Sequence, residues 1–218
     1  LINAHRADFL LGGVVADARP DGVKRVETHF YHYTEPMPDN PWREMFRQHP
    51  SLKQPLSPEH HAFLAGYVAH LAVDEYWSRY MLKPYFADAT WGPDMKDRFF
   101  ALHLLLIYMD ERDKVALDSS VPLLLRQSES AHWLPFLTDG AINEWRNFIA
   151  DQLETGSETL EVLGPHIKTA PEDLRRILDD REEMQVRVWD NVSPALLARM
   201  EAEMYVFAHE QMEIYLAL

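Results

Sequence analysis

Apolar positions recur at helical spacing along most of this chain, and the densest such pattern runs from Ser57 to Met81, SPEHHAFLAGYVAHLAVDEYWSRYM. Phe63, Leu64, Tyr67, Val68, Leu71, Val73 and Trp77 cover much of a helical circumference there. A helix apolar on most sides is central rather than peripheral. Ser57 suits the N-cap, Pro58 the first helical position and Glu59 the first turn. Lys83-Pro84 is expected to end the helix, because proline lacks the N–H and clashes with the preceding turn.

The same reading organises the rest of the chain. Ile2 to Gly13 looks like the end of a helix or a buried turn closed by a glycine pair. Asp17 and Asp21 flank a proline in a segment with turn chemistry. Val23 to Tyr33 shows the one strand-like alternation, equally compatible with an extended loop. The proline-rich stretch from Pro36 to Pro58 is a long excursion with a short helix around Trp42 to Gln48, and its Trp42, Met45 and Phe46 are expected to pack, as a lid. Thr90 to Asp94 is a turn that leads into an apolar helix over Pro93 to Asp113. Helices then follow over Ser119 to Ser130, over Asp139 to Leu163 (with a break at Gly156 and an end at Gly164-Pro165), over Pro171 to Asn191, and over Ser193 to Leu218. Ser193-Pro194 repeats the start signal of Ser57-Pro58. With about six or seven helices, almost no strand signal and no fixed-period repeat, the expectation is one all-α, multi-helix bundle over residues 1–218. Residues 1–116 carry the motif-bearing half, and 117–218 supply peripheral helices that could form a homo-oligomer surface.

Composition narrows the function classes. With 47% hydrophobic residues and six Trp, 218 residues can bury a substantial core. The net charge is −14, from 21 basic and 35 acidic side chains. Nucleic-acid binding needs several cationic phosphate contacts, and no Lys/Arg stripe supplies them, so nucleic acid is not an expected partner. The longest apolar run, Leu102 to Met109, is far short of the roughly 18 residues of a membrane span. Absence of a visible targeting signal favours a cytoplasmic location, whereas a chain starting at Leu1 inside an element leaves room for a missing leader and for secretion. There are no cysteines. A transition-metal site would therefore consist of His and carboxylates.

His70 and Asp74 stand one turn apart on the central helix, on one face with Gly66, which leaves room for close backbone approach. A buried His and Asp need a polar partner, and the answers open are an ion pair between them, a hydrogen-bonded core histidine, or a metal ion. Asp17 and His29 lie upstream; if their segment crosses the Gly66/His70/Asp74 face, four N/O ligands converge in a set suited to Zn²⁺ or another first-row divalent ion. Other histidines read differently. His60-His61 is expected at the surface and His103 as a satisfied core histidine, with Asp110 two turns on. Tyr31, His32 and Tyr33 could line a pocket. There is no GxSxG, GxGxxG or P-loop to support a serine hydrolase or a nucleotide site of those kinds.

AFLAGYVAHLAVDEYW resembles the G-Y-x-x-H-x-x-x-D helix of the zinc-dependent phospholipase C family, which is related in fold to the single-strand-specific P1-type nucleases. FLLGGVVAD is similar to that family's L-G-x-x-x-P-D segment, with Ala16 in place of the proline, and THF to its (S/T)-H-F segment. The three motifs occur in the family's order within about the first 80 residues. The resemblance implies an all-helical phospholipase C-like architecture and places Asp17, His29, His70 and Asp74 on the ligands of one zinc. The family's further ligands have no counterpart: the residues after Asp74 read EYWSRYM, and the next helix carries His103 and Asp110 seven apart. One ion is therefore expected, not a cluster.

The expected function is a metal-dependent phosphoester hydrolase acting on a small phosphoester or a phospholipid headgroup. Asp17 or Asp74 would orient the attacking water, and Arg79 would pair with the phosphate. The alternative is a relative in which the single metal is a structural staple and the protein works as a binding or interaction module.

Overall fold

A computed structural model of the protein describes residues 1–18, 20–32, 36–155, 160 and 168–218. Tyr33, Gly156 and the Gly164-Pro165 stop signal lie outside the described residues. The described elements are helical, and among the described residues there is no strand. In chain order they are α1 (Arg6–Val15), α2 (Arg25–His29), α3 (Pro41–Gln48), α4 (Pro58–Trp77), α5 (Met95–Ala116), α6 (Val121–Gln127), α7 (Asp139–Thr155), α8 (Pro171–Asp179), α9 (Arg181–Met184) and α10 (Pro194–Leu216). The all-α expectation holds.

The chain forms two compact units. The first comprises Leu1–Tyr76, Ser119–Glu154 and Met204–Leu218; the second comprises Trp77–Asp118 and Thr155–Glu203.

The first unit is built around α4. Phe63, Leu64, Tyr67, Val68 and Leu71 are fully buried there, among Leu11 and Val15 of α1, Trp42 and Met45 of α3, and Trp133, Leu134 and Ile142. Ser57 caps α4 as its position suggests, its Oγ accepting the His60 N–H at 3.2 Å. The proline-rich excursion contributes core: Trp42 is 1% exposed and donates its indole N–H to Gln211 Oε1 at 3.1 Å. Gln211 and Tyr215 lie in the last turns of α10, and Tyr215 stacks on Phe46 with centroids 5.3 Å apart. From Met204 onward the last helix is thus built into this unit, not laid on its outside.

Two close crossings set α1 against α4. A Cβ on Gly12 would fall 1.9 Å from the Phe63 carbonyl oxygen, and one on Gly66 would fall 2.1 Å from the Phe9 carbonyl oxygen. These backbones touch only because both positions lack a side chain. The close approach expected at Gly66 is realised, and it comes from α1.

Three expected boundaries move. The alternating segment after Val23 is not extended: Arg25–His29 is a helical turn and a half. Glu27 Oε2 accepts the Lys24 N–H at 2.6 Å at its start, and Phe30 closes it with φ 63°. Tyr67, on α4, donates its hydroxyl to the Thr28 carbonyl at 2.7 Å, a tertiary tie that local alternation does not report. Lys83-Pro84 does not stop the helix. In the second unit the chain continues through Ser78–Ala87 as a wide π-type coil with Pro84 inside it. A wider turn relieves the clash between a proline ring and the carbonyl four residues back. Finally, the single helix expected over Pro171 to Asn191 breaks at Asp180, whose carboxylate accepts the Glu182 and Glu183 N–H groups at 2.9 and 3.1 Å and starts α9. The second unit is further tied by Arg98, which donates to the Phe86 and Trp91 carbonyls at 2.8 and 3.2 Å.

Candidate metal centre

The site begins with unused carbonyls. The last four C=O groups of a helix have no partner within it. At the end of α1, Val14 O accepts the Trp145 indole N–H at 2.7 Å, and Gly13 O lies 2.9 Å from His70 Nδ1. A carbonyl can only accept, so His70 carries its proton on Nδ1. Its Nε2 lone pair points away from α1, into the space beside α2 and the residues that follow α1.

His29 is oriented in the same sense by a different device. Thr28 Oγ1 donates to the Arg25 carbonyl at 3.2 Å and lies 2.9 Å from His29 Nδ1. With its own proton committed, the hydroxyl accepts from Nδ1–H, and His29 also presents a bare Nε2. The His29 side chain is fully buried. Burial, the largest cause, pushes its pKa below 6.5, with hydrogen bonding to Asp17 pulling the other way. The neutral, ligand-competent form is thereby favoured.

The two Nε2 atoms lie 3.4 Å apart, in rings that meet edge to face at 5.4 Å between centroids. Asp17, two residues past the end of α1, brings Oδ1 to 3.4 Å from His29 Nε2 and Oδ2 to 3.9 Å from His70 Nε2. One donor atom from each of Asp17, His29 and His70 lies within 4.8 Å of the others. With both Nδ1 atoms protonated, lone pairs face lone pairs, an arrangement that calls for an electron-pair acceptor between them. Ligands 2.0–2.2 Å from a tetrahedral ion sit about 3.3–3.6 Å from one another; the two separations at His29 Nε2 fall in that range, and the His70–Asp17 separation, 3.9 Å, is slightly wider. Two imidazoles held through Nδ1 plus a carboxylate fit a first-row divalent ion, and hydrogen-bonded Nδ1 atoms are the usual outer support of such ligands.

Asp74 is on the same face as His70, and its Oδ2 is 3.4 Å from His29 Nε2. Its carboxylate is already engaged. Arg25, the first residue of α2, donates Nη2 to Asp74 Oδ2, and the Tyr31 hydroxyl donates to the same atom at 3.3 Å. The Arg25 guanidinium also lies over the Tyr31 ring, 4.9 Å from its centroid. Of the open alternatives, an ion pair between His70 and Asp74 is therefore not what the helix makes: His70 is hydrogen-bonded to a backbone carbonyl and Asp74 goes to an arginine.

The remaining candidates are distributed as follows. Arg79 belongs to the second unit, in the wide coil Ser78–Ala87. His103 donates within its own helix to the Phe99 carbonyl, as expected of a satisfied histidine, while Asp110 is exposed. His32 is exposed and Tyr31 is buried. His60 is a correction: expected at the surface, it is 2% exposed and stacked on Trp133, with ring centroids 5.6 Å apart and planes 5° from parallel. The i, i+3 spacing that puts His60 beside Phe63 also turns it inward.

Sequence reasoning did not single out Arg25, Thr28 or the Gly13 carbonyl. In a strand, Arg25 and His29 would lie about 13 Å apart; in a helix they are adjacent on one face. Reading Val23 to Tyr33 as alternating hid that neighbour relation. A backbone carbonyl carries no signal in a sequence at all.

No helix among the described residues is long and apolar enough to cross a membrane. Compared with known family models, curated proteins and solved structures, the chain matches none.

Proposed function

We propose that this protein is a one-metal phosphoester hydrolase, with the ion held by Asp17, His29 and His70. The observation that carries the reading is the convergence of two lone-pair-bearing Nε2 atoms, 3.4 Å apart, on the Asp17 carboxylate. The resemblance of the FLLGGVVAD, THF and GYVAHLAVD segments to zinc-dependent phospholipase C motifs supports the same reading and suggests zinc.

When bound, a divalent ion supplies Lewis acidity, lowering the pKa of a water towards about 7 and polarising a phosphoryl oxygen. The protein's own groups do the rest. The Asp17 side chain is 44% exposed, so the site opens to solvent on that carboxylate's side. Its second oxygen can accept a proton-bearing water and orient it. His29 and His70, fixed through Nδ1, cannot swing away. Arg25 stands beside the cluster, paired with Asp74, so the charge that would meet an anionic substrate is that of the ion, in a chain whose net charge is −14. The substrate class is a small phosphodiester, free or as a lipid headgroup.

Elemental analysis after reconstitution should find one zinc, manganese or iron per chain, and bis(p-nitrophenyl) phosphate should be hydrolysed. Asp17→Asn should lose both the ion and the activity. No bound metal in the wild-type protein would sink the reading. A second reading, a structural staple, is favoured by one observation: Asp74 Oδ2, at 3.4 Å from His29 Nε2, stands where it could close a four-ligand set. Full metal occupancy without turnover of any phosphoester would select it.

A further inference from the structure

The Asp74 carboxylate is the contested group of this site. One oxygen, Oδ2, is approached by the Arg25 guanidinium, by the Tyr31 hydroxyl at 3.3 Å and by His29 Nε2 at 3.4 Å. An arginine–carboxylate contact is charge-assisted and geometrically demanding. Here it is also braced: Arg25 lies over the Tyr31 ring, and Arg25 and His29 stand one turn apart on α2. We propose that Arg25 withholds Asp74 from the metal and so keeps one coordination position open. The inference rests on the metal site proposed above.

The charges show what this does. A divalent ion with one carboxylate and two neutral imidazoles leaves the site at +1, and the Arg25–Asp74 pair adds zero. If Asp74 also ligated, the ion and its ligands would be neutral and the positive charge would sit on Arg25 instead; all four tetrahedral positions would be filled by protein, leaving an anion no position on the ion. A closed set of four protein ligands is the form of structural sites; three ligands and an open position is the form of catalytic ones. Arg25 is thus a positioning residue that acts through Asp74. It selects the catalytic form of the site and leaves it able to attract a singly charged phosphodiester or inorganic phosphate.

The prediction has a definite sign: removing Arg25 should tighten metal binding. Mutual repulsion between cation and metal also acts in that direction, so affinity alone does not decide. Co²⁺-loaded protein supplies the second readout, because its visible spectrum reports the ligand set. In Arg25→Gln, Asp74 is released to the ion. Co²⁺ and Zn²⁺ affinity, measured by chelator competition, should rise about tenfold or more. The Co²⁺ spectrum should change, and inorganic phosphate should no longer perturb it. Adding Asp74→Asn to Arg25→Gln should return the spectrum to that of the wild type. Asp74→Asn alone should keep the wild-type spectrum, its affinity lowered only by the uncompensated Arg25 charge; the double variant, which removes both charges, should hold metal affinity within about threefold of the wild type, whereas loss of a true ligand costs much more. An Arg25→Gln protein with an unchanged Co²⁺ spectrum, or an Asp74→Asn protein with a changed one and collapsed affinity, overturns the proposal while leaving the metal site standing. Wild-type protein that binds no Co²⁺ overturns the site itself.

Discussion

A side chain on Gly66 would place its Cβ 2.1 Å from the Phe9 carbonyl oxygen and 2.8 Å from the Gly13 amide nitrogen. The same helix-to-helix contact lets His70, one turn on, reach the Gly13 carbonyl at 2.9 Å. Gly66→Ala should therefore do two things. It should destabilise the fold by about 1–3 kcal/mol, the usual cost of overpacking, although alanine is the better helix former by about 1 kcal/mol. It should also weaken metal binding by lifting α1 off His70. Gly13 is the control: a Cβ there meets nothing within 4 Å, so Gly13→Ala should be neutral or stabilise by up to about 1 kcal/mol. Urea unfolding of the two variants checks both signs, and equal effects would refute the crossing argument.

Thr28 touches no ligand atom that faces the site, yet it sets the tautomer of His29 through Nδ1 at 2.9 Å. Thr28→Val keeps the shape and removes the acceptor. The metal affinity should fall about 10- to 100-fold, the usual effect of deleting an outer-shell partner. Thr28→Ser should restore it. Chelator competition is the measurement, and a Val variant with wild-type affinity would show that the hydroxyl does not orient the ring.

His60 predicts a pH dependence. Burial pushes its pKa from 6.5 down to about 4, so the folded protein holds it neutral while the unfolded chain protonates it below about 6.5. The unfolded state binds the extra proton, and stability is lost as pH falls through that window. The loss approaches on the order of 3 kcal/mol by pH 4, since each unit corresponds to about 1.4 kcal/mol. His60→Leu should flatten this part of the profile. Its cost should be modest at pH 7, because the Leu56 N–H that His60 Nδ1 accepts at 3.1 Å sits on an exposed residue and can turn to water. Matching profiles for wild type and variant in urea titrations at pH 4 to 7 would assign the slope elsewhere.

Trp42 and Gln211 test whether the last helix, from Met204 onward, is built into the first unit. Gln211→Leu removes the acceptor of a buried indole N–H and should cost about 1–3 kcal/mol. Trp42→Phe, which removes the donor as well, should rescue part of that loss in the double variant. Thermal denaturation followed by circular dichroism reads the cycle, and strictly additive losses would deny the contact.

The extent to which the site was legible in the sequence varies by residue. His70 and Asp74 were readable as neighbours because helical spacing fixes which side chains share a face. Gly66 was readable as a contact point because only glycine leaves a bare backbone there. Asp17 and His29 entered as upstream N/O groups able to meet that face, a reading to which motif resemblance added, and the structure brings both to His70. Arg25 was missed because a five-residue helix is too short for periodicity to distinguish from alternation. Its helical form is fixed by Glu27 at one end and by the Tyr67 hydroxyl on the Thr28 carbonyl at the other. The continuation of the chain past Pro84 was missed because a proline signals a break in a regular turn, and the wide coil around it is not regular.

By itself the sequence determined that this chain is helical, where α4 begins, and that any transition-metal site in it must be made of histidine and carboxylate. Those follow from local rules: side-chain periodicity, a serine before a proline, and the absence of thiols. Only the tertiary structure decided which of the polar groups on α4 meet which partners. His70 could have paired with Asp74 one turn away. It reaches instead for a carbonyl that the end of α1 leaves unsatisfied, and Asp74 turns to an arginine 49 residues upstream. Unsatisfied backbone and opposite charge outweigh proximity along the chain, and no local pattern reports where the chain will bring them together.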